Sequence, residues 1–249
     1  MQVKIVVPAR YGSSRLPGKP LLSLSGKPIF VHVIERIKEA GFSLNDVILA
    51  TDDQRIVEAA NFHGIPVMLT SSQHPSGSDR INEVAEQLGW NDQTIVINVQ
   101  GDEPLIPAAL ITKLTNFIIS NRKFDMVTLA VPITEMDDYK NANIVKVVCD
   151  INNRALYFSR AMIPFCRDGG MPSEVFRHIG VYAYQVASLR SICKLPVCKL
   201  ENTEKLEQLR VLFNGMSIGI AIADQTPTHG VDTYDDYLKL KAMLNSCAE

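Results

Sequence analysis

The first half of the chain alternates between short apolar runs and amphipathic segments. The runs "VKIVVPA", "DVILAT", "IPVMLT" and "TIVINVQ" are rich in β-branched and aliphatic residues, which is typical of buried strands. Between these runs, apolar residues recur at helical spacing in three segments, the first of which extends from Phe30 to Ile37. Pro28 lies near the start of that helix, and Ser78 is the predicted N-cap of the third. The alternation predicts a parallel sheet with helices on both faces.

Sheets of this kind bind ligands in the loops beyond the carboxyl ends of their strands, where the strand order switches. The loops of interest therefore follow Val7, Thr51, Thr70 and Val99.

From about Asp125 the pattern changes. The segments "DMVTLAVPI", "NIVKVVCD", "ALYFSRAMIPF", "HIGVYAYQ" and "MSIGIAIA" predict strands, whereas "TEKLEQLRVLF" and "DTYDDYLKLKAML" predict helices. We interpret this part as a mixed portion that lengthens the sheet and adds an arm at about residues 130–185, embedded in a single α/β domain of residues 1–249. Exposed strands in such an arm often pair between subunits, so we expect a homodimer.

Composition and charge narrow the function classes. With 249 residues, 46% of them hydrophobic, the chain can bury a full core. A net charge of -2 excludes a generally basic surface for nucleic acid, so any anion must be bound by locally placed cations. No apolar run is long enough to cross a bilayer, and the five cysteines have no C-x-x-C spacing. We therefore expect a reduced, cytoplasmic protein that binds neither nucleic acid nor membranes.

The segment "VVPARYGSSRLPGKPLL" combines glycines with cations directly after the first predicted strand. It is not a Walker motif, because five residues separate its first two glycines, and it lacks the dinucleotide fingerprint. Glycines let backbone N–H groups face an anion, and Arg10, Arg15 and Lys19 add charge that suits phosphate oxygens. The segment is consistent with a triphosphate site, and the alternative is a solvated basic turn.

Two acidic residues, Asp102 and Glu103, lie in "NVQGDEPLIP", where the fourth predicted strand ends. Mg²⁺ prefers a few carboxylates together with phosphate oxygens and water, so this loop is a candidate metal site. A turn with solvated acids is the alternative interpretation.

Two further stretches have both a chemical and a plain structural interpretation. In "HGVDTYDD", Gly230 allows a turn and Asp232 precedes a helix that either Asp232 or Thr233 could cap; capping alone would explain the aspartate. The stretch "SSQHPSGSDR" opens a helix, so its N–H groups could meet a base edge or a ribose, and an ordinary loop is the alternative.

Taken in order, a series of stretches resembles the 3-deoxy-manno-octulosonate cytidylyltransferases, from about Val3 to Tyr237. The stretches are PARYGSSRLPGKPL, ATDD, SGSDR, NVQGDEP, YFSRAMIP, RHIGVYAY, LEQLRVL and GVDT. The first is shared with a wider nucleotidyltransferase group. The resemblance implies a Rossmann-like α/β fold with a mixed, mostly parallel sheet and a smaller dimerisation arm. It also implies Mg²⁺-dependent transfer of CMP from CTP to the 2-hydroxyl of an acidic eight-carbon sugar, with release of pyrophosphate, for lipopolysaccharide biosynthesis.

The same resemblance implies roles for individual residues. The triphosphate would be bound by Arg10, Ser13, Arg15 and Lys19, and cytosine and ribose by Ala9, Ser76, Gly77, Ser78 and Arg80. Mg²⁺ would be held by Asp102 and Asp232, which with Arg10, Arg15 and Lys19 form the catalytic set. The sugar pocket would be lined by Gln100, Arg160, His178, Tyr182, Glu207 and Gln208.

The implied chemistry must first cancel the repulsion between an anionic sugar and an anionic nucleotide, which is a task for cations and Mg²⁺. Positioning for an in-line approach supplies much of the remainder. No protein base stands out. His178 is a candidate, although a lone histidine is more often a binding or core residue.

Departures from the family pattern lie around the sugar. The form "YAYQ" has Gln185 where arginine is usual, the segment between "CRD" and "RHIG" is short, and "CKLEN" precedes the LEQLR helix. An acceptor with an ammonium at C8, such as the 8-amino-3,8-dideoxy analogue, would favour a less positive pocket, which motivates it as a hypothesis.

Two other functions compete with this interpretation. A cytidylyltransferase for another acidic sugar such as sialate is disfavoured by the stretches YFSRAMIP and RHIGVYAY. A non-catalytic CTP-binding module is disfavoured by the presence of both Asp102 and Asp232, since such a module would not need its metal ligands.

Overall fold

The computed structural model describes residues 2–12, 16–225, 227, 230–231 and 233–246. The strands in chain order are β1 (Val3–Ala9), β2 (Ser23–Leu24), β3 (Lys27–Pro28), β4 (Val47–Thr51), β5 (Val67–Leu69), β6 (Ile95–Asn98), β7 (Met126–Pro132), β8 (Lys146–Cys149), β9 (Ala155–Ser159), β10 (Phe176–Gln185) and β11 (Ile218–Ile222). The helices are α1 (Ile29–Glu39), α2 (Gln54–Phe62), α3 (Gly77–Gln87), α4 (Ala108–Ser120), α5 (Met136–Lys140), α6 (Val186–Cys193), α7 (Lys199–Glu204), α8 (Gln208–Phe213) and α9 (Tyr234–Ser246).

The chain divides into two units, one of residues 1–112 with 227–249 and one of residues 113–226. In the first unit, four strands run parallel in the order β6-β1-β4-β5. Ile5 of β1 pairs with Ile97 of β6 on one side and with Val47 of β4 on the other, and all three are fully buried. The parallel sheet predicted from the alternating pattern is therefore confirmed, and its carboxyl ends lie at one edge of the first unit.

One helix start in the first unit differs from the prediction. α3 begins one residue before Ser78, which lies buried inside the helix. Its N-cap is Ser76, whose Oγ accepts a hydrogen bond from the Asp79 N–H at 3.2 Å and donates one to the Asp79 carboxylate at 2.6 Å. Ser78 was the wrong cap because this reciprocal contact needs a carboxylate three residues after the cap, and only Ser76 has one there.

The second unit has the mixed sheet that the change of pattern predicted. β7 runs parallel to β11 and antiparallel to β10, and β8 pairs antiparallel with both β10 and β9. The register of β10 shifts between Ile179 and Tyr182. The strand predicted in "ALYFSRAMIPF" is shorter than expected, since β9 ends at Ser159.

The helix predicted in "TEKLEQLRVLF" is broken, which corrects the sequence interpretation. Lys205 adopts the left-handed conformation with φ of 55° and ends α7, and α8 begins at Gln208. The break lets Arg210 reach back to Glu201, with Nη2 and Oε1 2.5 Å apart. A continuous helix would separate residues nine apart by about 13 Å along its axis, so local periodicity could not reveal this contact.

Several elements carried no prediction, among them α4, α5, α6 and the β2–β3 hairpin. In the part of the chain that the structure describes, none of the helices combines the length and apolar character that crossing a bilayer requires. The cysteines within that part, Cys149, Cys166, Cys193 and Cys198, are free thiols. An arm at about residues 130–185 stays a prediction.

Candidate active site

A cavity of about 300 Å³ opens in the first unit beyond the carboxyl ends of β1 and β6. It is lined by Pro8, Ala9, Arg10, Gly12, Lys19, Pro20, Gly77, Gln100, Gly101 and Asp102. The lining thus combines the end of β1 and the turn after it, the loop after β6 and the start of α3. These are places where the parallel sheet was expected to carry its ligands.

Gly101 lets the loops after β1 and β6 approach each other. Its N–H donates a hydrogen bond to the Pro8 carbonyl at 3.3 Å. A Cβ at this position would lie 2.8 Å from that carbonyl oxygen and 3.4 Å from the Ala9 Cβ. Any larger residue would have to push the two strand ends apart, so glycine is required where Arg10 and Asp102 share a cavity.

Lys19 reaches the cavity from a tight turn. Gly18 has φ of 69°, a left-handed conformation that favours glycine, and its N–H donates to the Tyr11 carbonyl at 2.9 Å. The turn buries Lys19 and directs its Nζ to Asp102 Oδ2 at 2.5 Å. The Asp102 side chain stays 33% exposed, so the carboxylate remains open to the cavity.

Arg10 supplies the second cation of the cavity. Its Nη2 is buried, and no hydrogen-bond partner for this atom exists among the described residues. A buried guanidinium N–H without a partner is energetically unfavourable, and an anionic ligand would satisfy it.

Arg80 lies behind the cavity lining rather than in it. Its side chain is fully buried, with Nη2 2.7 Å from Asp52 Oδ2, and its Nη1 donates to Thr70 Oγ1. Burial lowers the pKa of Arg80, and the neighbouring Asp52 carboxylate opposes that effect. In this position Arg80 connects α3 to the loops after β4 and β5. Asp52 was not singled out from the sequence, although it belongs to the quoted ATDD stretch.

The segment before α9 contacts the backbone of Asp102. The Val231 N–H donates to the Asp102 carbonyl at 3.0 Å, and a Cβ at Gly230 would lie 3.3 Å from the same oxygen. Thr233 caps α9, because its Oγ1 accepts from the Asp236 N–H at 3.2 Å and its own N–H donates to the Asp236 carboxylate at 2.8 Å. Of the two residues that the sequence offered as caps, Thr233 takes this role. Three predicted site residues, Ser13, Arg15 and Asp232, lie outside the described residues.

Three of the predicted sugar residues form one cluster in the second unit. The rings of His178 and Tyr182 lie 5.5 Å apart, and the Tyr182 hydroxyl donates to Gln208 Oε1 at 3.4 Å. Gln208 is buried, and its Nε2 has no hydrogen-bond partner in the described part of the chain. Glu207 directly precedes it at the start of α8.

His178 is neutral in this environment, since burial lowers its pKa to about 3. Its Nε2 lies 3.0 Å from Thr128 Oγ1, while that hydroxyl has the Ile179 and Val181 carbonyls as acceptors at 3.0 and 2.8 Å. The hydroxyl proton is therefore best directed to a carbonyl, which favours the tautomer in which Nε2–H donates to Thr128. Nδ1 is then left as an acceptor.

Arg160 lies in a separate network of the second unit. Its Nε donates to the Glu204 carbonyl at 2.8 Å and its Nη1 to the Ala142 carbonyl at 3.0 Å. Beside it, the fully buried Lys146 donates to three backbone carbonyls, those of Asn141, Ile144 and Arg160, at 2.9, 2.7 and 2.8 Å. Burial lowers the pKa of Lys146. Sequence reasoning missed this lysine, although a charge inside the apolar run "NIVKVVCD" is the signal that could have identified it.

Gln185, the residue behind the amino-sugar hypothesis, ends β10 and donates from Nε2 to the Arg122 carbonyl at 3.0 Å. It lies seven residues beyond His178 along the strand, which corresponds to about 20 Å. Tyr182 of the same cluster lies three residues from Gln185, which corresponds to about 10 Å along the strand.

Comparisons with known proteins identify the family of the chain. A family model described as cytidylyltransferase matches residues 4–218. A 3-deoxy-manno-octulosonate cytidylyltransferase from Nitrosococcus oceani is 47% identical, over 98% of this chain and 97% of that protein. The protein of the same description from Acinetobacter baumannii is 46% identical, over 96% of each chain. A solved structure of CMP:2-keto-3-deoxy-manno-octonic acid synthetase complexed with CTP is 37% identical, with a TM-score of 0.91 over 99% of each chain.

Proposed function

The chain belongs to the 3-deoxy-manno-octulosonate cytidylyltransferase family, and on that premise we propose that it transfers CMP from CTP to the 2-hydroxyl of 3-deoxy-manno-octulosonate, releasing pyrophosphate. It is an enzyme of the nucleotidyltransferase class. The observation that carries the proposal is the cavity beyond β1 and β6, where Arg10, Lys19 and Asp102 converge.

CTP is proposed to occupy this cavity. The unpartnered Arg10 Nη2 and the Lys19 ammonium would contact the triphosphate, and the Gly12 backbone would face it without side-chain obstruction. Ala9 and Gly77 line the same cavity, which supports their proposed contacts with the nucleoside. Ser76, Ser78 and Arg80 lie in or behind the α3 start, and Ser13 and Arg15 keep their proposed phosphate roles as predictions.

Asp102 and Asp232 are proposed as ligands of Mg²⁺. Of the described residues that line the cavity, Asp102 alone carries a carboxylate, and the described residues contain no group of three side chains suited to a metal. A site with one or two carboxylates fits Mg²⁺, which is commonly held by that number of carboxylates together with substrate phosphates and water. Val231, the chain neighbour of Asp232, is hydrogen-bonded to Asp102, which supports a shared site. When bound, the ion would offset phosphate charge.

In the proposed reaction the sugar 2-hydroxyl oxygen attacks the α-phosphorus of CTP in line. The bond from the α-phosphorus to the bridging oxygen breaks, pyrophosphate leaves with the bonding electrons, and the hydroxyl proton passes to water. Arg10 and Lys19 would stabilise the charge that develops on the leaving oxygens. His178 is a poor base, given its pKa of about 3, so we assign it a hydrogen-bonding role toward the sugar.

The sugar is proposed to contact the cluster of His178, Tyr182 and Gln208. The unpartnered Gln208 Nε2 is a donor suited to a hydroxyl or carboxylate oxygen, and the His178 Nδ1 is an acceptor suited to a hydroxyl. Gln100, Arg160 and Glu207 remain proposed sugar contacts. Since Arg160 is already bonded to two carbonyls, a further role toward the carboxylate would use its remaining N–H groups.

Between the two candidate acceptors, the plain sugar is favoured. The amino analogue rested on Gln185, whose side chain is bonded to the Arg122 carbonyl. Because this amide already has a backbone partner, Gln185 gives no direct reason to prefer an ammonium at C8, and the amino analogue is retained as a second substrate in the assay.

A homodimer is proposed as the functional assembly. Leu156, Met162 and Phe165, in β9 and the segment that follows it, are exposed apolar side chains, and Phe165 is 77% exposed. Exposed apolar side chains of this kind are typical of subunit contacts. Light scattering should give twice the mass of the chain, and a Phe165→Ser variant should shift toward the monomer; a wild-type monomer would contradict the proposal.

The deciding experiment incubates the protein with CTP, Mg²⁺ and one acidic sugar at a time: the plain octulosonate, its 8-amino analogue or sialate. Pyrophosphate release and the mass of the CMP-sugar are measured together. We expect product with the plain octulosonate and loss of turnover when the metal is chelated. Product with sialate alone would overturn the acceptor, and CTP binding without pyrophosphate release would indicate a non-catalytic binding module.

A further inference from the structure

The loop between β5 and α3 leads directly into the cavity. Its last residue, Ser76, caps α3, and Gly77 at the start of the helix lines the cavity. The loop itself has few internal contacts, of which the Gln73 N–H to Ser71 Oγ bond at 3.1 Å is one. Something else must therefore hold it in place, because exposed loops rich in small polar residues are entropically costly to order.

Glu83, a residue of α3, holds the loop in place, and we call its contacts with Ser71 and His74 the anchor. Its Oε2 accepts a hydrogen bond from the Ser71 N–H at 2.9 Å and a second, short one from His74 Nε2. Its Oε1 accepts from Gln87 Nε2 at 2.7 Å, which orients the carboxylate. An ionised carboxylate only accepts hydrogen bonds, so His74 Nε2 carries the shared proton. One carboxylate thus fastens two points of the loop to the helix.

The position of Glu83 explains why the anchor acts on the helix start. Glu83 lies seven positions after Ser76, which corresponds to about 10 Å along the helix. The loop of residues 71–76 therefore runs alongside the first two turns of α3. Its contacts with Glu83, two turns into the helix, fix the path by which the chain reaches Ser76. The side chains of His74 and Glu83 are only 20% and 22% exposed, so the pair is partly shielded from water and salt.

Charge around the anchor is consistent with an ionised Glu83. Burial tends to raise the pKa of Glu83, but hydrogen bonds from His74 and from the Ser71 N–H outweigh it, and the net shift is downward. The Glu83 charge also acts on the buried guanidinium of Arg80. The anchor therefore belongs to the same charged group that connects α3 to Asp52.

We propose that Glu83 and His74 are positioning residues that hold the loop of residues 71–76 so that the start of α3, with Gly77, is preordered for the nucleotide. This inference rests on the proposed function, since it assumes that the cavity takes CTP. Neither side chain touches the cavity, so they act through the loop. The expected consequence is a loss of nucleotide affinity with little change in the chemical step.

Glu83→Gln removes the charge and keeps the volume. We expect the KM for CTP to rise about tenfold, in line with the loss of one or two charge-assisted hydrogen bonds, while kcat and the KM for the sugar change by less than about twofold. Calorimetry with CTP and Mg²⁺ alone should show the same loss of affinity. Hydrogen exchange of residues 71–76 should become faster.

A pair of His74 variants separates the anchor from general packing. His74→Gln keeps an N–H donor of similar reach and should recover most of the CTP affinity, whereas His74→Leu should behave like Glu83→Gln. The matched control is Glu86→Gln, on the same helix, whose partner is Asn82 Nδ2 at 2.9 Å. That variant should leave CTP affinity and loop exchange unchanged.

Two outcomes would overturn the inference. One is a wild-type KM for CTP and wild-type loop exchange in both Glu83→Gln and His74→Leu. The other is a parallel fall of kcat and of affinity for both substrates that follows a fall in Tm, which would indicate a structural role alone. If the wild-type protein binds CTP but shows no turnover, the proposed reaction fails, and calorimetry with loop exchange still decides whether the anchor positions the nucleotide.

Discussion

Lys19 and Asp102 are 83 residues apart in the chain, yet Lys19 Nζ lies 2.5 Å from Asp102 Oδ2. The pair joins the turn after β1 to the loop after β6, and Lys19 is mostly buried. Before the substrates bind, each group is the counter-ion of the other. A bound triphosphate would give Lys19 new partners, and a bound divalent ion would give Asp102 one. The pair therefore holds both side chains in position within the cavity before the substrates bind.

Asp102→Asn should abolish turnover and leave the fold intact, because it removes a charge and preserves the volume. We expect kcat to fall by at least about a thousandfold, in line with loss of a metal ligand and of a charge fixed in the site. Pyrophosphate release measures the effect, and circular dichroism checks the fold.

The control for this variant is Asp46→Asn. Asp46 forms a comparable pair, with Oδ1 2.7 Å from Lys4 Nζ near the start of β1, away from the cavity. It should keep full activity. Wild-type kcat in Asp102→Asn would rule out the role proposed for this carboxylate.

Asp52→Asn should destabilise the protein, because it leaves the fully buried Arg80 without its carboxylate. Breaking a buried pair by removing one partner costs about 3 kcal/mol. Urea unfolding monitored by circular dichroism measures the loss of free energy of unfolding. Glu39→Gln, which breaks the exposed pair with Arg36, should stay within about 0.5 kcal/mol of wild type. Equal stabilities for the two variants would contradict the structural importance of the Asp52–Arg80 pair.

Gly101→Ala should disturb both stability and activity. Its Cβ would lie 2.8 Å from the Pro8 carbonyl oxygen, and a backbone atom cannot move aside as the end of a side chain can. We expect a loss of about 1–3 kcal/mol in free energy of unfolding and a lower kcat, as for other overpacked sites. Gly180→Ala is the stability control, because a Cβ there meets nothing within 4 Å. A fully stable and active Gly101→Ala would show that the strand ends can separate freely.

The stability of the protein should depend on pH through His178. Its pKa of about 3 in the folded protein lies below the ordinary value of 6.5, so the unfolded chain binds a proton that the folded chain excludes. Stability from this group is therefore complete above about pH 6.5 and falls as the pH drops toward 3, by at most about 1.4 kcal/mol per pH unit.

Urea unfolding of wild type and His178→Gln at pH 7.5 and pH 5 measures this contribution. The variant should lose less stability between the two values, because glutamine does not titrate. An equal loss in both proteins would show that His178 is protonated normally in the fold. The imidazole signals of His178 in an NMR titration should likewise stay unchanged down to pH 5.

Much of the first unit could be predicted because its signals are local. The alternation of buried runs with amphipathic helices depends on residues three or four apart, and it correctly indicated parallel strands; a cavity lies at the carboxyl ends of two of them. The family resemblance, confirmed by the comparisons, depends on motifs that are also short in sequence. The cytoplasmic location and the role of Mg²⁺ stay predictions.

Where the interpretation was wrong, a contact between distant residues or a local competitor decided the outcome. Ser76 rather than Ser78 caps α3, because Asp79 lies three residues after Ser76 and bonds to it. Arg210 contacts Glu201 across the break between α7 and α8, which the apolar periodicity does not reveal. The 8-amino acceptor, which was motivated by Gln185, stays a hypothesis; the structure shows only that Gln185 ends β10 and is bonded to the Arg122 carbonyl.

The order of residues along this chain is sufficient to specify strands, helices and the chemical character of each loop, since those depend on side-chain periodicity and on short motifs. It does not specify which charges meet. That Lys19 pairs with Asp102, that Arg80 is buried against Asp52, and that Glu83 anchors His74 follows only from the folded chain. The reason is physical: an ion pair depends on distance and burial in three dimensions, and parallel strands bring together side chains that are tens of residues apart.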